Sequence, residues 1–526
     1  MFRLFILSLL LALISCKEKP LKDFLTNDNY SHSEKIEIYL TKSNLLNKFS
    51  TAHQKTLKDV FKQRNYHGVL YSDNDTLVSK QGKNLKTLIE NSLHFGVPRE
   101  LLIHEPNKLH RVEQEFYCII NLMKLIKLRS EGFSISEIKV TETDPKELIQ
   151  DVITLSKIDG YNQLCKNVLG HGPREIPQFE QLSNSIFSYC QNYNIDTSSY
   201  KVTNYKTEPA RKKLAIKSLF NKGYIESINP SNEVVNRGLL TFKIHNCLDS
   251  SYELNDFTTE ALCESNQNRL TRAAITLNKI RFSKAMGARY VHINIPEYML
   301  YFVNKNELQA KHRIVVGKRK TQTPELESEI TRIIVFPDWR VPPSIVKHEI
   351  LPSARKNISY LSKHHYKLYK KGDTSAIDVS TLDGALNNIY SIVQTPGTWN
   401  SLGVIKFEFI NKFSVYVHDT PQKALFNRQI RSFSHGCMRC QKPIELGKTI
   451  IENDQEGRLR NALTADSLES FIKKGDHKPV YLKRKIPIFV TYHSVTNHLG
   501  KIYFHLDIYS RDQKIINGLK SQVIKA

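Results

Sequence analysis

The sequence predicts an α+β multi-domain protein whose first half is helical and whose second half is a mainly antiparallel β domain. Its 526 residues are enough for two to four domains. Apolar residues recur at helical spacing as far as Phe282, and from Arg289 onward they alternate with polar residues, as in half-buried strands. With 40% hydrophobic and 24% charged residues, the composition is that of a globular protein and excludes a disordered chain.

The charge of the chain is strongly positive, at +24. Such a surface favours anionic partners such as an acidic polymer or anionic lipid. No run of lysine and arginine is long enough for a nucleic-acid-binding arm, and no basic motif is interleaved with aromatic residues. We therefore expect a lysine-rich solvated surface and no nucleic-acid partner.

The N-terminal segment is organised like a signal peptide. Arg3 precedes an apolar run at residues 4–14, which is too short to cross a bilayer. The next residues, "LISC", resemble the lipobox of bacterial lipoproteins and imply cleavage before Cys16 and acylation of that residue. We therefore expect residues 1–16 to be a lipoprotein signal region and the mature protein to be periplasmic and lipid-anchored, with the outer membrane favoured. An ordinary signal peptide with a chance cysteine is the alternative.

Two helical units follow, over residues 17–205 and 206–268. In the first, the apolar segment "EFYCIINLMKLIKLRSEGFS" predicts a buried helix that ends at Gly132. In the second, "ARKKLAIKSLFNKGYI" predicts a helix that ends at Gly223, and "LTRAAITLNKIRF" then predicts a linking helix. Nothing in the first unit suggests catalytic chemistry, so we interpret it as a scaffold.

The β domain is predicted over residues 288–515. Hairpins are expected in "YVHINIPEYMLYFVNKNELQAKHRIVVGK", "VIKFEFINKFSVYVHD" and "IPIFVTYHSVTNHLGKIYFHLDIYSRD", where apolar and polar residues alternate around a turn. Residues 346–396 are rich in tyrosine and lysine and are too long for a plain loop, so we predict a lid-like subdomain. Its tyrosines Tyr360, Tyr366 and Tyr369 either line a substrate groove or cover the sheet.

The stretch "RSFSHGCMRC" contains the main candidate for chemistry, Cys437. A cysteine nucleophile needs an ionised thiol, a histidine that exchanges the proton, and backbone N–H groups that hold the oxyanion formed on a carbonyl. Upstream, alternation in "KFSVYVHD" separates an apolar from a polar face, and His418 ends the strand on the polar face. The apolar face is predicted to hold Phe413, Val415 and Val417, and the polar face Ser414, Tyr416 and His418.

The surroundings of Cys437 suit this chemistry. Gly436 allows a carbonyl substrate to approach the backbone closely. Arg428, Arg431 and Arg439 make the neighbourhood positive, which favours thiolate over thiol. The local sequence therefore predicts acyl transfer through a thioester.

The longer stretch "HDTPQKALFNRQIRSFSHGCMR" resembles the signature of the L,D-transpeptidases, in which a histidine and a similar spacer precede Ser-His-Gly-Cys. The blocks "VVGKRKTQTPELESEITRIIVFPDWRVPPSIVKHEILP", "NSLGVIKFEF" and "GKIYFHLDIYSRD" are similar to the large periplasmic, multi-domain branch of that family. The resemblance implies a YkuD-type catalytic domain over residues 288–515 with a capping insertion at 346–396. It also implies a helical peptidoglycan-binding-like unit at 206–268, which is degenerate because Lys243 follows Phe242 and "ELND" replaces an Asp-Gly pair.

The resemblance also implies a reaction, in which Cys437 is the nucleophile and His418 the general base. The thiolate would attack the L,D amide between the third and fourth residues of a stem tetrapeptide, and D-alanine would leave. The amine of another stem would then resolve the acyl-enzyme into a 3–3 crosslink of peptidoglycan. The implied protein is a monomer that needs no metal or organic cofactor, and its partners are the donor and acceptor stems.

Four further residues receive roles from the same resemblance. Ser434 and His435 shape the nucleophile loop and orient the base. Gly436, with the backbone of the cysteine, belongs to the oxyanion region. Arg439 positions the loop or the substrate carboxylate.

Other interpretations remain open. With water as the acceptor, the enzyme would be an L,D-carboxypeptidase that trims tetrapeptide stems. Cys437 and Cys440 with two nearby histidines could bind zinc, although structural zinc sites usually contain a second cysteine pair. The same two cysteines could be a redox pair or a regulatory disulfide, although antiparallel hairpins are not the thioredoxin-like setting, and a packed Cys440 is the simpler interpretation. A non-catalytic wall-binding lipoprotein is the last alternative, against which the intact His418 and Cys437 argue.

Overall fold

The computed structural model describes ten segments of the chain, which are residues 29–42, 46–74, 77–106, 108–136, 146–173, 175–357, 359–370, 376–377, 390–454 and 464–523. The predicted signal region and Cys16 lie outside these segments. Within them, no helix is both long enough and apolar enough to span a bilayer.

The chain forms two compact units. Unit 1 contains the described residues up to Ser283, Val495–Phe504 and those from Asp512 on. Unit 2 contains Lys284–Ser494 and His505–Arg511. The predicted scaffold and peptidoglycan-binding-like units are both part of unit 1.

Unit 1 is helical. Its first helices surround α4, in which Phe116 is fully buried and meets the rings of Tyr39, Phe49 and Phe61 edge-on at centroid distances of 5.1, 6.2 and 5.5 Å. The helices are α1 (His32–Thr41), α2 (Thr51–Gln63), α3 (Lys80–Glu90), α4 (Arg111–Ser130), α5 (Lys146–Leu155), α6 (Tyr161–Gly170), α7 (Pro177–Asn192), α8 (Glu208–Asn221), α9 (Asn232–His245), α10 (Asp256–Cys263) and α11 (Asn266–Phe282). As predicted, α4 ends two residues before Gly132 and α8 two residues before Gly223.

Lys243 has a structural role in the predicted peptidoglycan-binding-like segment. The side chain is fully buried, and its ammonium donates to the carbonyl oxygens of Ser251 at 2.7 Å and Glu253 at 2.6 Å. It also forms an ion pair with Asp249 at 3.1 Å. The lysine therefore fixes the 249–253 loop, and whether this unit binds glycan stays a prediction.

Unit 2 is built on a nine-stranded sheet with the order β11-β3-β12-β10-β9-β4-β13-β1-β2. Because β2 also pairs with β3, the sheet closes on itself. Six of its pairings are antiparallel and three are parallel. The strands are β1 (Tyr290–Asn294), β2 (Met299–Asn304), β3 (Glu307–Gly317), β4 (Leu326–Val335), β9 (Ile405–Phe409), β10 (Val417–His418), β11 (Ser432–Ser434), β12 (Met438–Cys440) and β13 (Lys478–Thr491). The predicted fold class, helical scaffold followed by a mainly antiparallel β domain, is confirmed.

The insertion between β4 and β9 has its own sheet and core. Strands β5 (Trp339–Arg340), β6 (Tyr366–Lys370), β7 (Ala376–Ile377) and β8 (Tyr390–Gln394) form a sheet with the order β5-β8-β6-β7. Short helical segments cover it, at α12 (Pro343–Ile345), a π-helical turn (Val346–Ile350), α13 (Leu351–Lys356) and α14 (Ser359–Lys363). Tyr360 and Tyr366 pack partly against this core, which includes the buried Leu361, Leu368 and Ile392.

The remaining elements are α15 (Pro443–Glu452), α16 (Ala465–Lys474), β14 (Val495–His498), β15 (Lys501–Phe504) and α17 (Arg511–Val523). The hairpin predicted in "IPIFVTYHSVTNHLGKIYFHLDIYSRD" differs from the observed one. Its first part is β13, a strand of the main sheet, and the hairpin is β14–β15, which lies in unit 1 although it falls within the predicted range 288–515. Val495, Ile502 and Phe504 are buried there with Leu93 and Tyr189, because their apolar face packs on helices.

Truncating Phe504 should destabilise unit 1. The ring is buried and lies 5.3 Å from the ring of Tyr189. We expect Phe504→Ala to lower the free energy of unfolding by about 3–5 kcal/mol, as is typical of a buried phenylalanine. Denaturant unfolding followed by far-UV circular dichroism, which reports the helices, measures this. Leu499→Ala in the same hairpin is the control, since Leu499 is 87% exposed, and an equal loss in both variants would contradict the packing.

Candidate active site

The pairing of β10 with β12 creates the candidate site. The two strands are parallel, with Val417 opposite Met438 and His418 opposite Arg439. Val417 and Met438 are buried in the core of unit 2. Since successive residues of a strand point to opposite faces, His418 and Arg439 share the other face of the sheet.

One residue earlier on each strand, Tyr416 and Cys437 neighbour each other in the same register. The N–H of Met438 donates to the Tyr416 carbonyl at 2.9 Å, and the backbone of Tyr416 lowers the pKa of the Cys437 thiol. Strands lie about 4.8 Å apart and residues advance about 3.3 Å each. The register therefore makes His418 and Cys437 diagonal neighbours on one face.

The predicted apolar face of this strand is wrong at one residue. Phe413 is 45% exposed, whereas Val415 and Val417 are buried. The reason is the backbone of Ser414, whose φ of 54° is left-handed and breaks the alternation before the strand begins.

The ring of His418 is oriented by the backbone. Its Nδ1 lies 2.5 Å from the carbonyl oxygen of Asp419. Because a carbonyl can only accept, Nδ1 carries the hydrogen, and the neutral ring has its lone pair at Nε2. Burial lowers the pKa of His418 to about 3, and Arg439 adds to this, while the carbonyls of Asp419 and Leu402 oppose it. His418 is therefore a neutral imidazole at neutral pH.

The protonation of Cys437 differs from the prediction. Burial raises the pKa of this thiol, and the Tyr416 backbone, Lys406 and Arg439 lower it by less. Arg439 favours the thiolate, as expected, but removal of water from the sulfur outweighs its charge. The resting pair is therefore a thiol beside a neutral imidazole.

The nucleophile loop is held by its own serine. The Ser434 hydroxyl donates to the carbonyl of Cys437 at 2.6 Å and accepts from the N–H of Gly436 at 3.1 Å. Gly436 has a φ of 117°, a conformation that favours glycine. Ser434 thus shapes the loop, and the oxyanion role of Gly436 stays a prediction.

A second loop, residues 318–323, supports the first and was not found from the sequence. The Thr323 hydroxyl donates to the carbonyl of Gly436 at 2.9 Å, and the Thr321 hydroxyl donates to that of Ser434 at 3.1 Å. The Tyr509 hydroxyl bonds to the Thr323 N–H at 3.2 Å, and Arg511 donates to the Thr323 carbonyl at 3.1 Å.

Residues in the C-terminal part of unit 2 therefore hold the 318–323 loop in place, and this loop in turn holds the nucleophile loop. The sequence does contain a sign that this C-terminal segment matters, because "GKIYFHLDIYSRD" is one of the blocks that resemble the family. It does not show what the block contacts.

The side chain of His435 lies elsewhere than expected. We predicted that it helps orient the base, but its Nε2 lies 2.6 Å from a carboxylate oxygen of Glu349, in the π-helical turn of the insertion. The insertion therefore contacts the nucleophile loop directly.

The arginines divide into two groups. Arg439 lies beside the site, and its Nη1 donates to the side-chain oxygen of Gln422 at 2.6 Å. Arg431 instead donates to the backbone carbonyls of Ile314 at 3.1 Å and Tyr298 at 3.2 Å. Arg431 is therefore a structural link between β3 and the loop.

Cys440 is a packed core residue. It is fully buried on the face that holds Met438, opposite to the face of Cys437. A disulfide between the two cysteines would require the strand to be rebuilt, so the packed interpretation is supported. Cys118, Cys165, Cys190 and Cys263 are also free thiols. Among the described residues, no group of three His, Cys, Asp or Glu side chains is placed to hold a metal ion.

Comparison with known proteins identifies the fold that carries this site. Residues 288–455 match the YkuD family, described as the L,D-transpeptidase catalytic domain. Unit 2 contains a YkuD L,D-transpeptidase catalytic domain. The matched residues include His418, the nucleophile loop, and the insertion as far as the structure describes it.

One curated relative of this transpeptidase domain is a putative L,D-transpeptidase of Haemophilus influenzae. It is 27% identical over 231 residues, which is 43% of this chain and 45% of the relative. The chain thus spans less than half of that relative's length.

The titration of Cys437 can be measured without a substrate. Because its pKa is raised above the ordinary thiol value, little thiolate exists at neutral pH and the alkylation rate should increase as pH rises through that value. We expect a midpoint above that of a free cysteine thiol, read from iodoacetamide labelling rates by peptide mass spectrometry. Cys437→Ala identifies the labelled site. A midpoint near neutral pH would show an activated thiolate and contradict the thiol–imidazole resting state.

Proposed function

We propose that the protein is a peptidoglycan L,D-transpeptidase that forms 3–3 crosslinks between stem peptides through a thioester on Cys437. The observation that carries this proposal is the placement of Cys437 and His418 on one face of adjacent strands within an L,D-transpeptidase domain. The nearby backbone is held by hydroxyl groups, as an acyl-transfer site requires.

The first half of the reaction follows from the resting protonation. As sulfur attacks the carbonyl carbon of the third stem residue, the thiol proton passes to Nε2 of His418 and the C–S bond forms. The tetrahedral oxyanion would be stabilised by the backbone N–H of Cys437, because the Gly436 N–H already donates to the Ser434 hydroxyl. When the C–N bond breaks, the imidazolium gives its proton to the amine of D-alanine.

The environment of His418 suits the second of these transfers. Burial and Arg439 both disfavour the imidazolium, so the proton is donated readily to the leaving amine. In the second half of the reaction, the amine of another stem attacks the thioester, His418 takes its proton and returns it to sulfur. Water as the attacking group would give a carboxypeptidase.

The cellular setting forms part of the proposal. We propose a periplasmic monomer anchored by lipid on Cys16, which the "LISC" stretch supports. The positive net charge of +24 suits an anionic cell wall. The insertion, whose Glu349 contacts the nucleophile loop, is proposed to cap the site.

The acyl-enzyme is the intermediate that tests this mechanism. We expect a disaccharide tetrapeptide to add its tripeptide acyl group to the protein with loss of D-alanine, and a carbapenem to add its whole mass, because both present a carbonyl to the thiol. Intact-protein mass spectrometry of the form without residues 1–16 measures both adducts.

Two variants make the result specific. Cys437→Ala should carry no adduct, and Cys440→Ala should carry it, since Cys440 faces the core. If folded wild-type protein forms no adduct with either reagent, the proposal is wrong.

The hydrogen bond from the Thr323 hydroxyl to the Gly436 carbonyl gives a further prediction. Thr323→Val keeps the shape of the side chain but leaves the Gly436 carbonyl without this donor. We expect acylation by a carbapenem to slow about tenfold, equivalent to about 1.4 kcal/mol of transition-state stabilisation.

A matched threonine provides the control for that variant. The Thr449 hydroxyl donates to the Glu445 carbonyl at 3.0 Å within α15, so Thr449→Val removes the same kind of bond away from the site. Equal acylation rates in Thr323→Val and Thr449→Val would show that the hydrogen bond from Thr323 does not position the nucleophile loop.

A further inference from the structure

A row of polar side chains crosses several strands of unit 2 and ends at the thiol. On the far side of β10 from β12, β9 pairs antiparallel with Lys406 opposite His418. Glu408 lies two residues further along β9, on the same face. On the next strand, β4, Arg332 is opposite Glu408. Lys406 therefore lies on the face that carries the candidate catalytic pair.

The ammonium of Lys406 is fixed in place. Only 9% of the residue is exposed, and its Nζ lies 3.0 Å from one carboxylate oxygen of Glu408. The other oxygen of Glu408 accepts from Nε of Arg332, whose Nη1 donates to the Tyr481 hydroxyl at 3.1 Å. A buried ammonium requires a charged partner, and Glu408 supplies it.

The same ammonium lies against Tyr416. Its Nζ is 3.9 Å from the centroid of the Tyr416 ring, a cation–π contact at short range. Tyr416 neighbours Cys437 in register, and the two side chains interact electrostatically. One aromatic ring and one strand therefore separate a fixed positive charge from the thiol.

We propose that Lys406 is a positioning residue that sets the protonation balance between Cys437 and His418, with Glu408 and Arg332 holding its charge in place. This inference rests on the proposed function, because it assigns a role within that catalytic pair. In the sequence, this lysine lies in "VIKFEF", between apolar residues of a predicted strand. No motif or spacing in the sequence indicates that it lies near the cysteine.

The sign of the effect is fixed by electrostatics. A nearby positive charge stabilises the thiolate and destabilises the imidazolium. It therefore assists sulfur in its attack and makes the protonated His418 a stronger acid toward the leaving amine. Lys406 and Arg439 are the charged groups that act on both members of this couple. Tyr416 lies beside Cys437 and is itself influenced by Glu408 and Asp338.

Opposite substitutions in the Lys406–Glu408 pair should have opposite effects. We expect Lys406→Met to move the pH midpoint of Cys437 alkylation upward and to slow alkylation below it about threefold to tenfold. Glu408→Gln should move the midpoint downward, because it removes a negative charge and leaves the ammonium. Lys406→Arg keeps the charge and should retain the wild-type midpoint.

A lysine elsewhere in unit 2 provides a matched control. Lys311 lies 5.3 Å from the centroid of the Tyr301 ring on the β2–β3 hairpin, so Lys311→Met removes a similar cation–π contact away from the site. Its alkylation profile should equal that of wild type. Circular dichroism and thermal unfolding establish that each variant is folded.

The direction of the shifts decides the outcome. A structural role alone would move Lys406→Met and Glu408→Gln in the same direction or leave both midpoints unchanged, and either result overturns the inference. Any unfolded variant is replaced by Lys406→Gln or Glu408→Asn, judged by the same criterion.

The alkylation experiment is independent of the proposed reaction, because it uses no peptide. If the shifts occur but wild-type protein forms no acyl-enzyme, the electrostatic role stands and the proposed function fails. If wild type is acylated but Lys406→Met keeps the wild-type pH midpoint, the function stands and this inference fails.

Discussion

The site depends on the pairing register of three short strands, β9, β10 and β12. This register places Lys406, His418 and Arg439 side by side on one face, while Phe407, Val417 and Met438 fill the core from the other. A slip of one residue in β10 would put His418 into the core and Val417 at the site. The buried apolar residues that stabilise the sheet therefore also align the side chains of the candidate site.

Burial has a second consequence, which is the protonation of the pair. It raises the pKa of Cys437 and lowers the pKa of His418, so both groups are neutral at rest. In the proposed reaction, proton transfer would be coupled to attack on the substrate carbonyl, and no permanent ion pair would be needed. The positive charges of Lys406 and Arg439 lower the pKa of both groups. They therefore oppose the effect of burial on Cys437 and add to the effect of burial on His418.

The sequence was sufficient for the helical and β halves, for the position of His418 at the end of a strand, and for the packed Cys440. These follow from local alternation and from the motif around Cys437. The ion pair of His435 with Glu349 and the position of Lys406 could not be predicted, because both depend on contacts between distant segments. The packing of β14–β15 on helices was missed for a related reason, since alternation shows an apolar face but not what covers it. The balance between burial and charge at Cys437 also requires the three-dimensional surroundings.

The most direct test of the account is the product of the complete reaction. Purified protein without residues 1–16 would be incubated with a disaccharide tetrapeptide that serves as both donor and acceptor, and the products would be separated and sequenced by mass spectrometry. The account predicts a dimer with a 3–3 linkage together with free D-alanine, and neither product with His418→Gln or Cys437→Ala. A tripeptide without dimer would mean that water is the acceptor, and unchanged tetrapeptide with folded wild-type protein would contradict the central claim.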